Sequence, residues 1–93
     1  MITVDGSRAT LEGPVTLATI NAVLAEGARL LTAPALTVDL GGVTDVDSTA
    51  VSLLLEWQRA AQRDKRAIHF TNHPANLKSL IQLYGVTELL AVS

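Results

Sequence analysis

The feature that most constrains the fold of this chain is a change of hydrophobic period near its centre. Residues 35–40 alternate between apolar and polar side chains, which predicts a β-strand with one buried face and one wet face. In residues 48–63 the apolar side chains recur at helical spacing, which predicts an amphipathic α-helix. A strand that passes directly into such a helix is typical of an α/β fold, because each element covers the apolar face of the other.

The segments on either side continue the alternation of strands and helices. Asp5-Gly6 is a hairpin turn dipeptide, and Gly27 within the first helix marks a close approach to a strand. The predicted elements are a β-hairpin of residues 2–4 and 8–12 that ends at Gly13-Pro14, a helix over 16–31 capped by Thr16, the strand 35–40 with a flexible exit at Gly41-Gly42, the helix 48–63, a strand over 67–70, a helix over about 72–84, and a short strand or apolar tail over 86–92.

This order of elements predicts one α/β domain, residues 1–93, built on a mixed β-sheet. Thr37, Asp39 and His69 fall on the side of their strands that points away from the core. A sheet with helices on both faces has strands that are continuously apolar, so we expect the helices to pack mainly on one face. No internal repeat or linker divides the chain.

Composition narrows the function classes. The chain is 48% apolar with one Trp, one Tyr and one Phe, so its core is aliphatic, and the absence of Cys excludes disulfides and thiolate metal sites. A net charge of −2 without any basic run argues against a nucleic-acid surface. The first residues lack the pattern of a signal peptide, and no apolar run is long enough to span a membrane, so we expect a cytoplasmic chain with no direct membrane insertion.

Residues 45–49, Asp-Val-Asp-Ser-Thr, form the junction between the central strand and the second helix. The hydroxyls of Ser48 and Thr49 fall at the helix start, where a Ser or Thr caps the first backbone N–H groups. The same N–H groups and the helix dipole would favour a phosphate or another anion. Capping is the usual role of such residues, so a site at this junction needs further support.

A helical wheel divides the second helix into two faces. The core face carries Ala50, Leu54, Trp57 and Ala61. The opposite face is a continuous polar stripe of Ser48, Ser52, Glu56, Arg59 and Arg63, with Leu55 beside Arg59. Two interpretations stay open: a solvated face with a single exposed Leu, or a surface that docks a partner protein around the helix start.

No constellation of residues favours an enzyme, a cofactor or a metal. His69 and His73 span a strand end and a loop rather than one helix face, which argues against a metal site. Asp39, Asp45 and Asp47 could converge at the end of the strand, yet turn and capping duties explain them more simply, and whether they bind a cation stays open. No His or Lys lies near the junction hydroxyls in sequence to activate them as nucleophiles.

Several stretches of the chain match a known pattern. They are the strand 36–40 (Leu-Thr-Val-Asp-Leu), the loop end 46–49 (Val-Asp-Ser-Thr) and the helical run 53–55 (Leu-Leu-Leu), which together resemble the STAS domain of sulfate transporters and anti-sigma-factor antagonists. Residues 53–57 with 60–61, and 74–77 with Leu80 and 83–86, are similar to the small STAS subunit of the Mla ABC transporter. That transporter moves phospholipid between the membranes of Gram-negative bacteria and maintains outer-membrane lipid asymmetry.

The resemblance implies a non-enzymatic subunit that binds the ATPase subunit of the ABC transporter on the cytoplasmic side. In Mla-type subunits the start of this helix faces the ATPase, with a hydroxyl at the position that Ser48 matches. Together with the polar stripe, this predicts a partner-binding surface of Ser48, Thr49, Ser52, Leu55, Glu56 and Arg59.

The antagonist branch of the family implies a different function. Its Asp-Ser-Ser/Thr-Gly motif carries a regulatory phosphoacceptor, and residues 47–50 match it. The alternative is therefore an anti-sigma-factor antagonist whose partner, an anti-sigma factor kinase, switches it by phosphorylating Ser48 or Thr49. Ala50 stands where the motif has Gly, and its Cβ narrows backbone access at the junction, which argues against phosphorylation.

Overall fold

Strands and helices alternate along residues 1–86, the part of the chain that the computed structural model describes. The elements are β1 (Ile2–Asp5), β2 (Arg8–Val15), α1 (Ile20–Leu30), β3 (Ala35–Val46), α2 (Ser48–Arg63), β4 (Ala67–Thr71) and α3 (Ala75–Leu83). The predicted order of two strands followed by alternating helices and strands is confirmed. The last predicted segment, residues 86–92, lies outside the described residues except for Val86.

The strands form one mixed sheet in the order β1-β2-β3-β4. The pair β1–β2 is antiparallel, whereas β2–β3 and β3–β4 are parallel and are connected through α1 and α2. Both crossovers step in the same direction along the sheet. Because such crossovers are right-handed, two steps in one direction place both helices on the same face, as the sequence predicted.

The strand register separates a buried face of the sheet from a polar face. Ala9, Val38 and Phe70 are cross-strand neighbours, and each is at most 1% exposed. The next row along the same strands consists of Thr10, Asp39 and Thr71, whose side chains point the opposite way. The α/β class with a mixed sheet covered on one side is therefore confirmed.

The helices α1 and α2 meet at a glycine. A Cβ added to Gly27 would lie 2.7 Å from Nε1 of Trp57, closer than side-chain atoms approach one another in folded proteins. The predicted close approach at Gly27 is therefore present, but the neighbour is the indole ring of α2, and the prediction of a strand was wrong. A helical glycine here lets the Trp57 indole lie against the backbone of α1.

Two predicted strand ends were wrong for one reason. β2 continues through Gly13-Pro14 to Val15, and β3 continues through Gly41-Gly42 to Val46, because the two segments pair with each other. The pairing register shifts between Gly13 and Val15, which leaves Pro14 without a partner in β3, so its missing N–H costs no ladder hydrogen bond. The predicted flexible exit is thus a paired strand.

The first helix begins later than its spacing predicted. α1 starts at Ile20, and Thr16 does not cap it. Instead, the Thr19 hydroxyl accepts the N–H of Thr16 at 3.0 Å and donates to the carbonyl of Pro14 at 3.0 Å. Residues 16–19 therefore form a hydrogen-bonded turn ahead of the helix.

None of the helices within residues 1–86 is long and apolar enough to cross a membrane.

Candidate functional site

The start of α2 is capped by a carboxylate. Asp47 has an extended backbone, and its Oδ1 accepts the N–H of Thr49 at 2.9 Å, while the Thr49 hydroxyl donates to the same oxygen. The prediction of a cap within residues 45–49 is therefore confirmed, but its assignment to the hydroxyls of Ser48 and Thr49 was wrong. Ser48 is instead the first residue of the helix, and its side chain is exposed.

The second carboxylate oxygen of Asp47 reaches another element. Its Oδ2 accepts the backbone N–H of Leu17, in the turn before α1, at 3.0 Å. The hydrogen bond from the Thr49 hydroxyl and then that from Leu17 N–H hold the pKa of Asp47 below its usual value, so the carboxylate is ionised at neutral pH. Asp47 thus joins the start of α2 to the turn of residues 16–19.

A groove runs between α1 and α2 beside this junction, with a volume of about 410 Å³. Its lining consists of Ile20, Leu24, Thr49, Ser52, Leu53, Leu55, Glu56 and Arg59. Most of the surface predicted from the sequence therefore lies in this groove, and Ser48 lies outside it at the helix start. Leu55 is half-buried and packs against the core, so the interpretation of a single exposed Leu was wrong.

The rim of the groove carries a matched pair of charges. Arg59 donates to Glu56 at 3.0 Å, one turn earlier on α2, and both side chains are largely exposed. The two charges offset each other, so this part of the rim is polar without a net charge. The groove has apolar walls from both helices and a polar rim, which is the arrangement found at many protein–protein interfaces.

Two contributions to this region were missed in the sequence. Ile20 and Leu24 of α1 form the second wall of the groove, whereas the wheel of α2 described one wall only. The helix predicted over residues 16–31 includes Leu17, but Leu17 lies before α1 and is 73% exposed. The signal that was available is Thr19, because a Thr hydroxyl can bond to nearby backbone groups and so compete with helix formation, as this one does.

The three Asp residues of the central segment do not come together. Asp39 lies on the polar face of β3, where it accepts from Gly41 N–H at 2.8 Å, Arg8 at 3.0 Å and Asn72 at 3.2 Å, and the first of these bonds is the main cause of its lowered pKa. Asp47 is engaged in the cap. Within residues 1–86, no group of three His, Asp or Glu side chains is placed to hold a metal ion.

The two histidines lie in different environments. His69 is exposed on β4. His73 is half-buried before α3, where burial and then the charge of Lys78 lower its pKa, and its Nδ1 has no hydrogen-bond partner among residues 1–86. A neutral imidazole at this position is consistent with a structural role.

Comparison with known proteins identifies the family. The family model described as "Mlab, STAS domain" matches residues 2–91. No curated protein shows significant sequence similarity to the chain. Among solved structures, the anti-sigma factor antagonist SpoIIAA in its unphosphorylated form matches with a TM-score of 0.74 at 13% identity, over 100% of this chain and 86% of that chain, and at this identity the likeness shows the fold alone. The family match spans nearly the whole sequence, and the chain therefore belongs to the STAS domain family.

Proposed function

We propose that this chain is a non-enzymatic subunit that binds the ATPase of an ABC transporter and supports its active arrangement. The transporter, which includes a permease, moves phospholipids and maintains outer-membrane lipid asymmetry. The family description supports the proposal through its first word, "Mlab". The chain would act in the cytoplasm, peripheral to the inner membrane through its partner, as a protein-interaction module of the kind that STAS domains typically are.

The observation that carries this proposal is the groove between α1 and α2. Its apolar walls include Ile20 and Leu55, and its rim presents the hydroxyls of Thr49 and Ser52 and the pair Glu56–Arg59. Apolar surface surrounded by a polar rim is suited to a partner side chain that is desolvated on docking. The proposed contact surface is Ser48, Thr49, Ser52, Leu55, Glu56 and Arg59.

The test is co-purification of the chain with the transporter ATPase, followed by charge substitutions on α2. Ser52→Arg places a long charged side chain in the groove, because Ser52 is exposed and lines it. We expect affinity for the ATPase to fall by about tenfold or more, which corresponds to about 1.4 kcal/mol. Ser48→Arg combined with Leu55→Asp extends the test to the helix start.

The control for these variants is Gln62→Arg, which adds the same charge at an exposed position near the other end of α2. It should bind like the wild type. Equal affinity of Ser52→Arg, Ser48→Arg/Leu55→Asp and wild type would reject the surface. A wild-type chain that does not bind the ATPase at all would reject the function.

A second candidate function is that of an anti-sigma-factor antagonist whose partner is an anti-sigma factor kinase. It is favoured by the state of the junction hydroxyls: Ser48 is exposed, and the Thr49 hydroxyl is held by a carboxylate at a helix start. A phosphate on Ser48 or Thr49 would add negative charge beside Asp47 and disturb a partner contact. Mass spectrometry after incubation with a cognate kinase tests this, and an unmodified chain would count against it.

A further inference from the structure

Leu17 is a large apolar side chain that the fold leaves in solvent. It is 73% exposed, and the other exposed large hydrophobic residues within 1–86 are Met1, Leu83 and Tyr84. Met1 precedes β1, and Leu83 and Tyr84 lie at the end of α3, whereas Leu17 lies in the turn between β2 and α1 and is hydrogen-bonded to Asp47 at the start of α2.

The backbone that carries Leu17 is held in place by hydrogen bonds from both sides. Its own N–H donates to Oδ2 of Asp47 at 3.0 Å, and the preceding N–H, of Thr16, donates to the Thr19 hydroxyl at 3.0 Å. The same hydroxyl donates to Pro14. An apolar side chain on a fixed backbone loses less conformational entropy when a partner covers it than one on a mobile loop.

The charges around Leu17 define what kind of partner would fit. Asp47 is ionised, and the side chain of Asp45 is exposed and makes no hydrogen bond or ion pair within residues 1–86. Of the two cations on the polar stripe of α2, Arg59 is paired with Glu56, and Arg63 lies in the last turn, at the far end of the helix. The helix start therefore presents an exposed Leu bonded through its N–H to Asp47, with Asp45 two residues earlier, and within residues 1–86 neither carboxylate is paired with a cation. This arrangement is complementary to an apolar recess flanked by Lys or Arg.

We propose that Leu17 is an anchor residue of the ATPase-binding surface and that Asp47 is the positioning residue that holds it beside the start of α2. The occupant is the transporter ATPase, which supplies an apolar recess bordered by a basic side chain. This inference rests on the proposed function and extends its surface across the junction to the β2–α1 turn. One carboxylate oxygen of Asp47 accepts from Leu17 in the turn before α1, and the other accepts from Thr49 at the start of α2.

The first experiment compares two Leu residues of matched exposure. Leu17→Asp should weaken binding to the ATPase by about thirtyfold or more, the size of a hot-spot loss. Leu83→Asp, at a position 76% exposed on α3, should bind within about twofold of wild type. Both substitutions replace solvent-exposed side chains, so their melting temperatures should stay close to that of the wild type.

The second experiment tests the positioning role of Asp47. Asp47→Ser keeps a good helix cap but has a single oxygen, which cannot serve both Thr49 and Leu17. We expect the Leu17 amide to exchange faster with solvent and ATPase binding to weaken by about tenfold, with α2 still formed. Leu17→Ser, which removes the anchor and keeps the carboxylate, should show the binding loss without the faster exchange.

The salt dependence of association tests whether the partner surface is basic. Asp45→Asn should slow association with the ATPase at low salt and make it less dependent on ionic strength, because it removes an exposed carboxylate that has no ion-pair partner in the part of the chain that the structure describes. An unchanged salt dependence would reject the basic partner.

The outcomes separate this inference from the function on which it rests. If wild type does not bind the ATPase, the proposed function fails. If wild type and Leu17→Asp bind equally while Ser52→Arg does not, the function stands and the anchor is rejected. Equal losses in Leu17→Asp and Leu83→Asp would also reject it, since the effect would then be one of added charge.

Discussion

At the scale of single residues, Asp47 links the start of α2 to the turn before α1. One oxygen takes the N–H and hydroxyl of Thr49, and the other takes the N–H of Leu17. A neutral carboxyl group accepts these hydrogen bonds less well than a carboxylate, which is why they lower its pKa. The Asp47 carboxylate, which links the two elements at the candidate surface, therefore also stabilises the folded chain in a pH-dependent way.

We predict a pH-dependent contribution of Asp47 to stability. Its pKa is lower in the folded chain than the value of 3.8 for an unperturbed Asp, so its stabilising contribution is complete above that value and is lost as the pH falls through the folded pKa. Asp47→Asn has one acceptor oxygen and should melt at a lower temperature than wild type at pH 7. The two melting temperatures should converge at acid pH, and a gap that persists there would contradict the prediction.

The sequence predicted the place of this cap but not the residue that forms it. Asp, Ser and Thr have similar preferences for the N-cap, and residues 47–49 offer all three in succession. The choice depends on which residue keeps an extended backbone, here Asp47, and that is set by the strand before it. The link to Leu17 spans 30 residues, which no local pattern reveals.

At the scale of elements, the packing of α1 on α2 depends on Gly27. The Cβ of an Ala would lie within 2.9 Å of three atoms of the Trp57 indole, which is enclosed between the helices. Ala gains about 1 kcal/mol over Gly in helix propensity, but an overlap that forces the buried indole to shift costs about 1–3 kcal/mol. We therefore predict that Gly27→Ala destabilises the chain by about 1 kcal/mol and lowers the melting temperature by about 4–8 °C.

A double-mutant cycle checks the cause of this loss. Trp57→Phe removes the indole atoms that Cβ would meet, so adding Gly27→Ala to that variant should cost less than it does in wild type. A higher melting temperature for Gly27→Ala alone would show that the helices separate easily and that propensity outweighs packing.

Element order was predictable from the sequence, whereas element ends were not. Hydrophobic period is a local property and gave the strands and helices in their correct succession. The extension of β2 and β3 through Gly13-Pro14 and Gly41-Gly42 comes from pairing between segments about 30 residues apart, where Gly13 pairs with Val43. Glycine and proline were taken as breakers because their local preferences do not show that a partner strand is present.

At the scale of the whole molecule, helices cover one face of the sheet, and the candidate surface lies on this helical layer. The uncovered face carries Thr10, Asp39 and Thr71 in register, with Arg8 paired to Asp39 at 3.0 Å. This face is polar, whereas the groove between α1 and α2 has apolar walls, and the exposed Leu17 lies in the turn that precedes α1. The helical layer is therefore the side of the molecule suited to a protein partner.

Partner binding at this layer should stabilise the entire folded chain. A partner that binds only the folded form adds about 2.7 kcal/mol at a free concentration of 100 times Kd, because unfolding then requires release. The hydrogen exchange of amides that open only on global unfolding should slow by about a hundredfold. Val38 and Leu40 are suitable reporters, because both are buried residues of β3 and not part of the proposed contact surface on α2. Hydrogen exchange followed by NMR measures this directly.

The Leu17→Asp variant supplies the matching control. If its Kd is about thirtyfold weaker, the same ATPase concentration is only about three times its Kd, and the core amides should slow by about fourfold instead of a hundredfold. Exchange that slows equally in both chains would show that Leu17 carries none of the binding free energy. If hydrogen exchange slowed only in α1 and α2 and not in β3, the ATPase would also bind the unfolded chain. That result would contradict the proposed surface, because only the folded chain brings the two helices and the turn of residues 16–19 together.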